Sequence, residues 1–498
     1  MVETGSTHMT ETDFQAWLDS DDAMRCVLVE ARALVAGVET LRYLSTENYV
    51  TGMNDVPPNV AYWAVVSGGV KITEKMSLEG NASISFGDIE LDNADGSLDD
   101  WLLDVWDGRS VDVLMGDVRW PRTEFRKLFS GTQARFGARD RGTLNLALRD
   151  KLQRLNTPVS DLRLGGTGDN KDRLIPVCFG ECHNVEPLLV NPITLTYQVH
   201  TGPIEDIIEV RDNGVPVAYV GDLANGKFSL PAQPSGLVTA SIQGDKFAGV
   251  YTNRVAPIVR RLATGFGKPA DRFTGAEVDS ANFAAFDAAN PQPVGLYLYD
   301  RANVLKACAD LAGSVGAQMV PTAEGQLRML KLGPAGLTPL APVNPSRMAE
   351  RSLRVADRPQ VQAAVKIAYC KNWTVQKNLQ TGIPEAHKNL FALEWLTRTA
   401  TDAVVAERHR LSAEPVEVET MLLVEADALA EATRRLALWS VQRTVFMYTG
   451  MPTMMLQQLG NGQLLTDGRF GLAAGKPGQI VGITRDWLES RITLEVLV

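Results

Sequence analysis

The sequence predicts a mainly β, multi-domain protein that also contains α+β units. The chain has 498 residues, whereas a single hydrophobic core rarely grows beyond about 250–300 residues. Short segments of alternating apolar and polar residues, separated by turn residues, fill most of the sequence. Helical spacing of apolar residues is confined to a few stretches, chiefly residues 300–313 and 425–440. Several β-rich domains with smaller α+β units between them are therefore expected.

Composition narrows the function classes. Apolar residues make up 45% and charged residues 22% of the chain, which is ordinary for a folded globular protein. The formal net charge is -10, and the Lys and Arg residues are scattered. Because binding to nucleic-acid phosphates needs clustered cations, we expect no specific binding of DNA. An acidic surface would instead let DNA pass without sticking.

The sequence shows no membrane span, no signal peptide and no disulfide framework, and these features bear on cellular location. No apolar stretch reaches the length of about 18 residues needed to cross a bilayer, so no membrane span is expected. Residues 1–12 are polar and do not resemble a signal peptide, which predicts synthesis in the cytoplasm. Five cysteines at irregular spacing do not form a disulfide framework, and we expect them to be reduced.

Residues 1–21 are predicted to be an N-terminal docking segment. Thr12 and Gln15 have the spacing of a capping box for a short helix. That helix would present Phe14, Trp17 and Leu18 on one side, either to a partner or to its own domain.

Residues 22–160 are predicted to form the first β domain. Alternation from Cys26 to Val35, followed by Ala36-Gly37, predicts a strand that enters a hairpin and returns through residues 41–44. Further strands are expected at residues 62–66, 83–91, 111–115, 128–134 and 143–148. Glycine-containing turns separate them, which is typical of an antiparallel barrel or sandwich.

Residues 161–255 are predicted to form a small β module that begins at the glycine-rich stretch 165–170. Within it, Asp212-Asn213-Gly214 predicts a type I′ hairpin, because Asn-Gly tolerates positive φ at both central positions. A second hairpin is expected over residues 227–242.

Residues 256–340 are predicted to form an α+β domain, with a helix over 300–313 and a hairpin made by 317–320 and 326–330. Four prolines then predict a stiff linker: Pro334, Pro339, Pro342 and Pro345.

Residues 341–498 are predicted to form the second β domain. It holds strands at 361–370, 479–484 and 491–497 and a helix over 425–440. We expect Leu429, Ala432, Leu436 and Trp439 on the packed face of that helix, with a Glu431–Arg435 pair on the opposite face. The strands at 143–148 and 491–497 give a weak indication of duplication between the two β domains.

Cys178, Cys182 and His183 form the sharpest ligand-like cluster, because thiolates and imidazole at close spacing suit zinc or iron. The spacing is not a standard one, and only the remote Cys370 or His200 could complete the site. Cys178 could act as the nucleophile of a cysteine peptidase, with His183 or His200 as its base, although neither histidine has a recognisable catalytic context. We therefore expect buried cysteines, no metal and no cofactor.

Other candidate motifs also favour a structural reading. The carboxylate pairs Asp99-Asp100 and Asp206 with Glu209 could serve a muramidase, but chance pairs are expected among 59 acidic residues. The run 93–96 fails as a calcium loop, because Leu91 and Leu102 would occupy ligand positions. Glycine runs at 165–168 and 313–316 lack the lysine of phosphate loops. No catalytic residue is identified, and we do not expect an enzyme.

Three groups of residues resemble the baseplate hub (tail tip) protein family of tailed bacteriophages. The first group is SFGDIELDN (85–93), VDVLMGD (111–117) and LFSGT (128–132). The second is IPVCFG (175–180), NVEP (184–187), YQVH (197–200) and VRDNGV (210–215). The third is the terminal stretch 475–498, which is similar to the closing strands of a hub domain.

The resemblance implies a structural virion protein at the tail tip. It implies a homotrimeric ring in which two tube-like β-barrel domains per chain imitate the sixfold tail tube. Its expected partners are tail tube, distal tail, tape measure and central fibre or spike proteins, and DNA would pass through its lumen during ejection. The alternatives are a tail-associated cell-wall hydrolase and a hexameric distal tail ring protein.

Overall fold

The computed structural model describes residues 9–79, 85–333, 336–377, 379–380, 382–411 and 414–498. Residues 1–8 of the predicted docking segment, Ser83 at the start of a predicted strand, and Pro334 lie outside these ranges. In the first 160 residues the elements are α1 (Glu11–Leu18), β1 (Arg25–Val35), β2 (Val38–Ser45), β3 (Tyr49–Val50), β4 (Ala61–Ala64), β5 (Val66–Lys75), β6 (Phe86–Asp92), β7 (Ser110–Asp117), β8 (Arg126–Ala138) and β9 (Thr143–Asp150).

The middle of the chain alternates between short strands and helices. Its elements are β10 (Val177–Val185), β11 (Leu188–Asn191), β12 (Thr196–Gln198), β13 (Ile204–Asp212), β14 (Val215–Pro216), β15 (Val220–Asp222), β16 (Lys227–Ser229), β17 (Val238–Phe247), β18 (Val250–Tyr251), α2 (Val255–Gly265), α3 (Ser280–Ala289), β19 (Gly295–Leu298), α4 (Val304–Ser314), β20 (Ala317–Pro321) and β21 (Leu327–Lys331).

The last third returns to long strands after a mixed segment. Its elements are β22 (Leu340–Val343), β23 (Arg354–Asp357), β24 (Ala364–Tyr369), α5 (Glu385–Ala392), β25 (Leu396–Thr401), α6 (Ala403–His409), β26 (Val416–Glu419), α7 (Glu425–Trp439), β27 (Val445–Gly450), β28 (Gly462–Leu465), β29 (Lys476–Asp486) and β30 (Arg491–Leu497). The predicted fold class, mainly β with α+β units, is confirmed.

The strands of the first β unit form a closed path. From β5 the hydrogen-bonded order runs β6, β9, β8, β7, β1 and β2, and β2 pairs in parallel with β4. Since only Val65 separates β4 from β5, the path returns to the segment where it began and closes a barrel. The interior is apolar: Val27, Val29 and Ala31 of β1 are fully buried in it. Alternate residues of β1 thus face the interior, and the predicted strand is confirmed.

The barrel is joined edge to edge to a second β unit at the end of the chain. Strand β5 pairs antiparallel with β29 over five residue pairs, from Gly482↔Lys75 to Asp486↔Lys71. Beyond this seam the order continues β29, β30, β27, β23, while β28 and β22 extend from the other half of β29. One sheet therefore contains strands from both ends of the chain.

The middle units pack on cores of their own. A second apolar cluster combines α2, α3 and α4 with β24 and α7, and a third fills the module around β10, β13 and β17. Core residues of β24 and α7 thus pack against the middle of the chain, although they fall within the predicted last domain: Val365, Ile367, Tyr369, Ala428, Ala432 and Leu436. The predicted domain limits themselves stay a prediction.

Several local predictions are confirmed. Asn213 and Gly214 both have positive φ and form the predicted hairpin turn between β13 and β14. The hairpins β1–β2 and β20–β21 are present, and α4 begins four residues after the predicted start, with Asn303 as its N-cap.

Three local predictions are wrong. The cap of α1 is Thr10, whose hydroxyl accepts from the Asp13 N–H, so the predicted Thr12–Gln15 box starts too late. Strands β16 and β17 do not form a hairpin, because they belong to different sheets. The proline-rich stretch is not only a linker, since β22 within it pairs with β28; Pro342 is tolerated there because β22 is an edge strand.

The predicted packed face of α7 is confirmed at Ala432 and Leu436, which are buried, but it is wrong at Leu429, which is exposed. Glu431, expected on the opposite face, is buried. The carboxylate of Glu431 is 2.7 Å from both Arg434 and Arg435, so the predicted surface pair is a buried cluster. Because ion pairing outweighs burial there, the pKa of Glu431 is lowered.

Candidate functional site

The cysteine pair lies on β10, which is kinked at Gly180. Gly180 has a φ of +63°, and a Cβ there would lie 2.0 Å from the Val294 carbonyl oxygen. On either side of the kink, Cys178 and Cys182 are fully buried in the same apolar cluster. Burial and the adjacent Cys178 raise the pKa of the Cys182 thiol well above its ordinary value. This environment favours a neutral thiol rather than a thiolate ligand.

His183 lies on the other face of the strand. Successive side chains of a strand point to opposite faces, and the His183 Nε2 is 3.3 Å from the Glu181 carboxylate. The hydrogen bond from His183 lowers the pKa of Glu181. The structure therefore brings Cys178 and Cys182 together but not His183. Across the described ranges, no three His, Cys, Asp or Glu side chains converge so that they could hold a metal ion.

His200 is part of a buried polar chain that the sequence did not reveal. Its Nδ1 accepts from the backbone N–H of Cys178 at 3.0 Å, so Nε2 carries the proton and donates to Asp245 at 3.1 Å. Arg261 donates to the other Asp245 oxygen at 2.9 Å. Burial raises the pKa of Asp245, but the hydrogen bonds from His200 and Arg261 outweigh it and hold that pKa below its ordinary value.

This geometry does not match a nucleophile–base pair. A catalytic histidine must direct its free nitrogen at the thiol, whereas the free nitrogen of His200 is occupied by the Cys178 amide. The polar chain instead fixes β10 to β17 and α2. Asp245 and Arg261 were missed because they lie far from His200 in sequence, and no spacing rule connects them.

The carboxylate pairs and the loop at 93–96 have local structural roles. Glu209 forms a bidentate pair with Arg211 at 2.8 Å, and Asp206 accepts from the Ile207 N–H. Asn93 accepts from the Leu98 N–H and donates to Asp99. The bonds of Asn93 hold the turn after β6 in shape, whereas those of Asp206 and Glu209 lie within β13.

Helix α1 packs on the barrel of its own chain. Phe14 and Leu18 are buried in the barrel core, and the Trp17 Nε1–H donates to Asp117 at 3.0 Å. Trp17 also packs against Trp120, with ring centroids 4.7 Å apart and the ring planes tilted by 47°. Of the two alternatives for this helix, packing on its own domain describes the residues from Met9 onward, and a docking role for the segment stays a prediction.

Exposed apolar side chains on ordered loops mark candidate assembly surfaces. Met53 is 77% exposed in a loop after β3, and the buried Asp55 secures that loop by accepting from the Gly52 N–H at 2.7 Å. Leu103, 84% exposed, ends a short 3-10 helix whose Trp101 ring lies 5.5 Å from Trp63. Both side chains thus lie on segments that a hydrogen bond or a ring contact holds to the barrel.

Strand edges provide a second kind of assembly surface. Strand β23 ends the large sheet, pairs only with β27, and all four of its residues are exposed. An unpaired edge offers backbone donors and acceptors to another chain. Among the described residues, no helix has the length and apolarity required for a bilayer crossing.

No protein family model matches the sequence, and no curated protein matches it. Solved structures do align with most of the chain. A tail protein from Neisseria meningitidis MC58 aligns at 12% identity and a TM-score of 0.41, covering 95% of this chain and 96% of that one. The 43 kDa tail protein of prophage MuSo2 from Shewanella oneidensis aligns at 10% identity and 0.40, covering 95% and 98%.

The prophage tail protein gp18 from Listeria monocytogenes EGD-e aligns at 8% identity and a TM-score of 0.39, covering 94% of each chain. These three structural neighbours are tail proteins. Because these TM-scores are below 0.5, inferences about function rest on the residues of the chain itself.

Proposed function

We propose that the chain is a structural protein of a phage-type tail, and more specifically the baseplate hub that connects the tail tube to a central spike or fibre. The single observation that carries this proposal is the seam between β5 and β29. It holds two β units of one chain side by side in a continuous sheet.

A hub must match a sixfold tube on one side and a threefold spike on the other. Three chains that each present two adjacent β units supply six units with threefold symmetry. The free edge at β23 and the exposed apolar loops of the barrel support contacts between such units. The sequence resemblance at residues 85–93, 175–180 and 475–498 points to the same family.

Side-chain contacts across the seam add to the pairing of the two units. Besides the backbone ladder, Arg485 and Glu74 form an ion pair at 2.6 Å, and the Thr73 and Thr484 hydroxyls are 3.2 Å apart. Lys75 and Glu495 add a more exposed pair at 2.8 Å. In the proposed ring, tail tube and distal tail proteins bind one face, and the fibre or spike and the tape measure protein bind along the axis.

The negative charge of the chain suits a channel for DNA. With a net charge of -10, the protein repels phosphates, so DNA would pass through the lumen without being retained. The protein acts by holding other subunits, and no chemical step is required of its residues.

The proposal is tested by locating the chain in assembled tails. Ile193, 91% exposed in the turn between β11 and β12, accepts a peptide tag without disturbing a strand. Gold-labelled antibody against a tag at Ile193 should decorate the distal end of the tail. Label along the tube, at the head, or absent from particles would contradict the hub function.

A further inference from the structure

The small β module carries an exposed phenylalanine at one end. The hairpin β17–β18 turns through Ala248 and Gly249, both with positive φ, which is typical of a type I′ turn. At its tip Phe247 is 58% exposed, and Val250 beside it is also exposed. An apolar hairpin tip that projects from a folded module is a feature of protein contacts.

The ring of Phe247 is held in place by Arg261. The Arg261 guanidinium lies between two aromatic rings, 3.9 Å from the centroid of Phe247 and 4.8 Å from that of Phe266. Arg261 is itself oriented by the buried Asp245, which also accepts from His200. Because the ring is already ordered, binding it loses little side-chain entropy. Aromatic residues ordered in this way are typical of interface hot spots.

The other end of the module carries an apolar groove. It is a cavity of about 280 Å³ between β10, β13 and the segment around α5. Its apolar walls are Leu390, Phe391, Leu393, Trp395 and Leu396. A cavity of about 150 Å³ is enough to hold a benzene ring, whereas pockets for small molecules start at about 300 Å³. The groove therefore has the size for one or two side chains.

The charged residues around the groove are already paired. Glu209 and Arg211 form a bidentate pair, and Lys371 is 3.5 Å from Glu394. The Lys371 ammonium also lies 4.7 Å from the Trp373 ring and 4.8 Å from the Trp395 ring. At the hairpin, Lys246 pairs with Glu205 at 2.8 Å. The groove thus favours an uncharged apolar side chain, and its contact with the hairpin would leave no charge unpaired.

The hairpin tip and the groove are too far apart to meet within one chain. Ser241 lines the groove, and Phe247 lies six positions further along β17, a distance of about 20 Å. Two complementary surfaces at different places on one chain produce head-to-tail contacts, which close into rings when the rotation allows.

We propose that Phe247 of one copy inserts into the groove at Leu390 and Trp395 of the next copy. This contact fastens the small β modules to each other around the ring. The inference rests on the proposed homotrimer and adds a specific contact to it.

A cysteine already present in the groove allows a direct test. Cys370 lines the groove and is partly exposed, whereas the other four cysteines are buried. The full-length F247C variant is treated with oxidised glutathione, which takes up the two electrons and two protons released when two thiols form a disulfide. We expect an intermolecular cross-link to Cys370, identified by mass spectrometry, and its loss in F247C/C370S. The control I193C is at a more exposed position, 91% against 58% for Phe247, but should not link to Cys370.

A second measurement follows the assembly itself. F247A removes an exposed ring, so its thermal unfolding should match that of the wild type, while its trimer dissociation constant rises by at least about 30-fold in mass photometry. A wild-type trimer that gives no cross-link and is unaffected by F247A overturns this inference and leaves the hub proposal standing. A wild-type protein that stays monomeric at all concentrations overturns the hub proposal.

Discussion

Arg485 of β29 lies 2.6 Å from Glu74 of β5, and both side chains are nearly buried, at 8% and 12% exposure. Arg485 also donates to the carbonyl oxygens of Met455 and Gln457. This pair crosses the seam that joins the strands from the two ends of the chain.

Removal of one partner of this pair should weaken the seam. In E74A the buried guanidinium of Arg485 loses its counter-ion, and we expect the free energy of unfolding to fall by about 3 kcal/mol or more. The matched control is K75A on the same strand, which breaks the more exposed pair with Glu495 and should cost at most about 1 kcal/mol. Both values come from urea unfolding followed by fluorescence. Equal losses in the two variants would show that the Arg485–Glu74 pair does not stabilise the seam.

Asp150 should make stability depend on pH. It is buried at the end of β9, where it accepts from the Ser85 and Leu152 N–H groups, and burial raises its pKa from 3.8 to about 7. Between these two pH values the folded state binds more protons than the unfolded state, so stability decreases as pH rises. The loss from pH 4 to 7 should be up to about 4 kcal/mol.

The measurement is the difference in unfolding free energy between wild type and D150N across pH 4 to 8. As pH rises, the wild type should lose stability relative to D150N. The exposed Asp95 provides the control variant D95N, which should leave the pH profile of this window unchanged. A D150N protein with the wild-type profile would contradict the assignment.

The cysteines should react according to burial. Cys26, Cys178, Cys182 and Cys308 are buried, and only Cys370 is partly exposed. Native protein treated with iodoacetamide should gain at most one adduct, located at Cys370, and denatured protein should gain five. Intact-mass spectrometry gives the count, and C370S should give none in the native state. Rapid native modification of Cys178 or Cys182 would mean that their thiols are accessible, as a metal or catalytic site requires.

Gly180 should be intolerant of any side chain. Its positive φ and the 2.0 Å approach of the Val294 carbonyl oxygen to an added Cβ predict that G180A loses more than about 2 kcal/mol of stability. Gly165 also has positive φ but has no atom within 4 Å of an added Cβ, so G165A should cost about 1 kcal/mol. Thermal unfolding of both variants separates two costs: the positive φ, which both positions share, and the steric clash with Val294, which only G180A has. Similar values for both variants would contradict the kinked strand.

The sequence was informative where local rules decide the structure. Alternation along β1 and the Asn213-Gly214 turn follow from side-chain periodicity and from backbone preference, and both are present. Spacing predicted the Glu431–Arg435 pair but not its burial. The burial depends on residues far away in sequence, because Arg434 and Arg435 also donate to the carbonyl oxygens of Leu332 and Gly313.

Contacts between residues far apart in sequence could not be predicted for the same reason. No local signal connects Thr73 with Thr484 across the seam, or His200 with Asp245 and Arg261. In the candidate metal cluster, spacing suggested that Cys178, Cys182 and His183 might share a site. Strand alternation places Cys178 and Cys182 on one face of β10 and turns the imidazole of His183 to the other.

Three chains, each with two β units, should form a ring with threefold symmetry. Mass photometry of the purified protein, followed by averaged electron-microscope images, measures copy number and symmetry together. The hub account predicts rings of three chains with six β units around a central opening. Rings of six chains would indicate a distal tail ring protein instead, and a stable monomer that cleaves peptidoglycan would indicate a hydrolase.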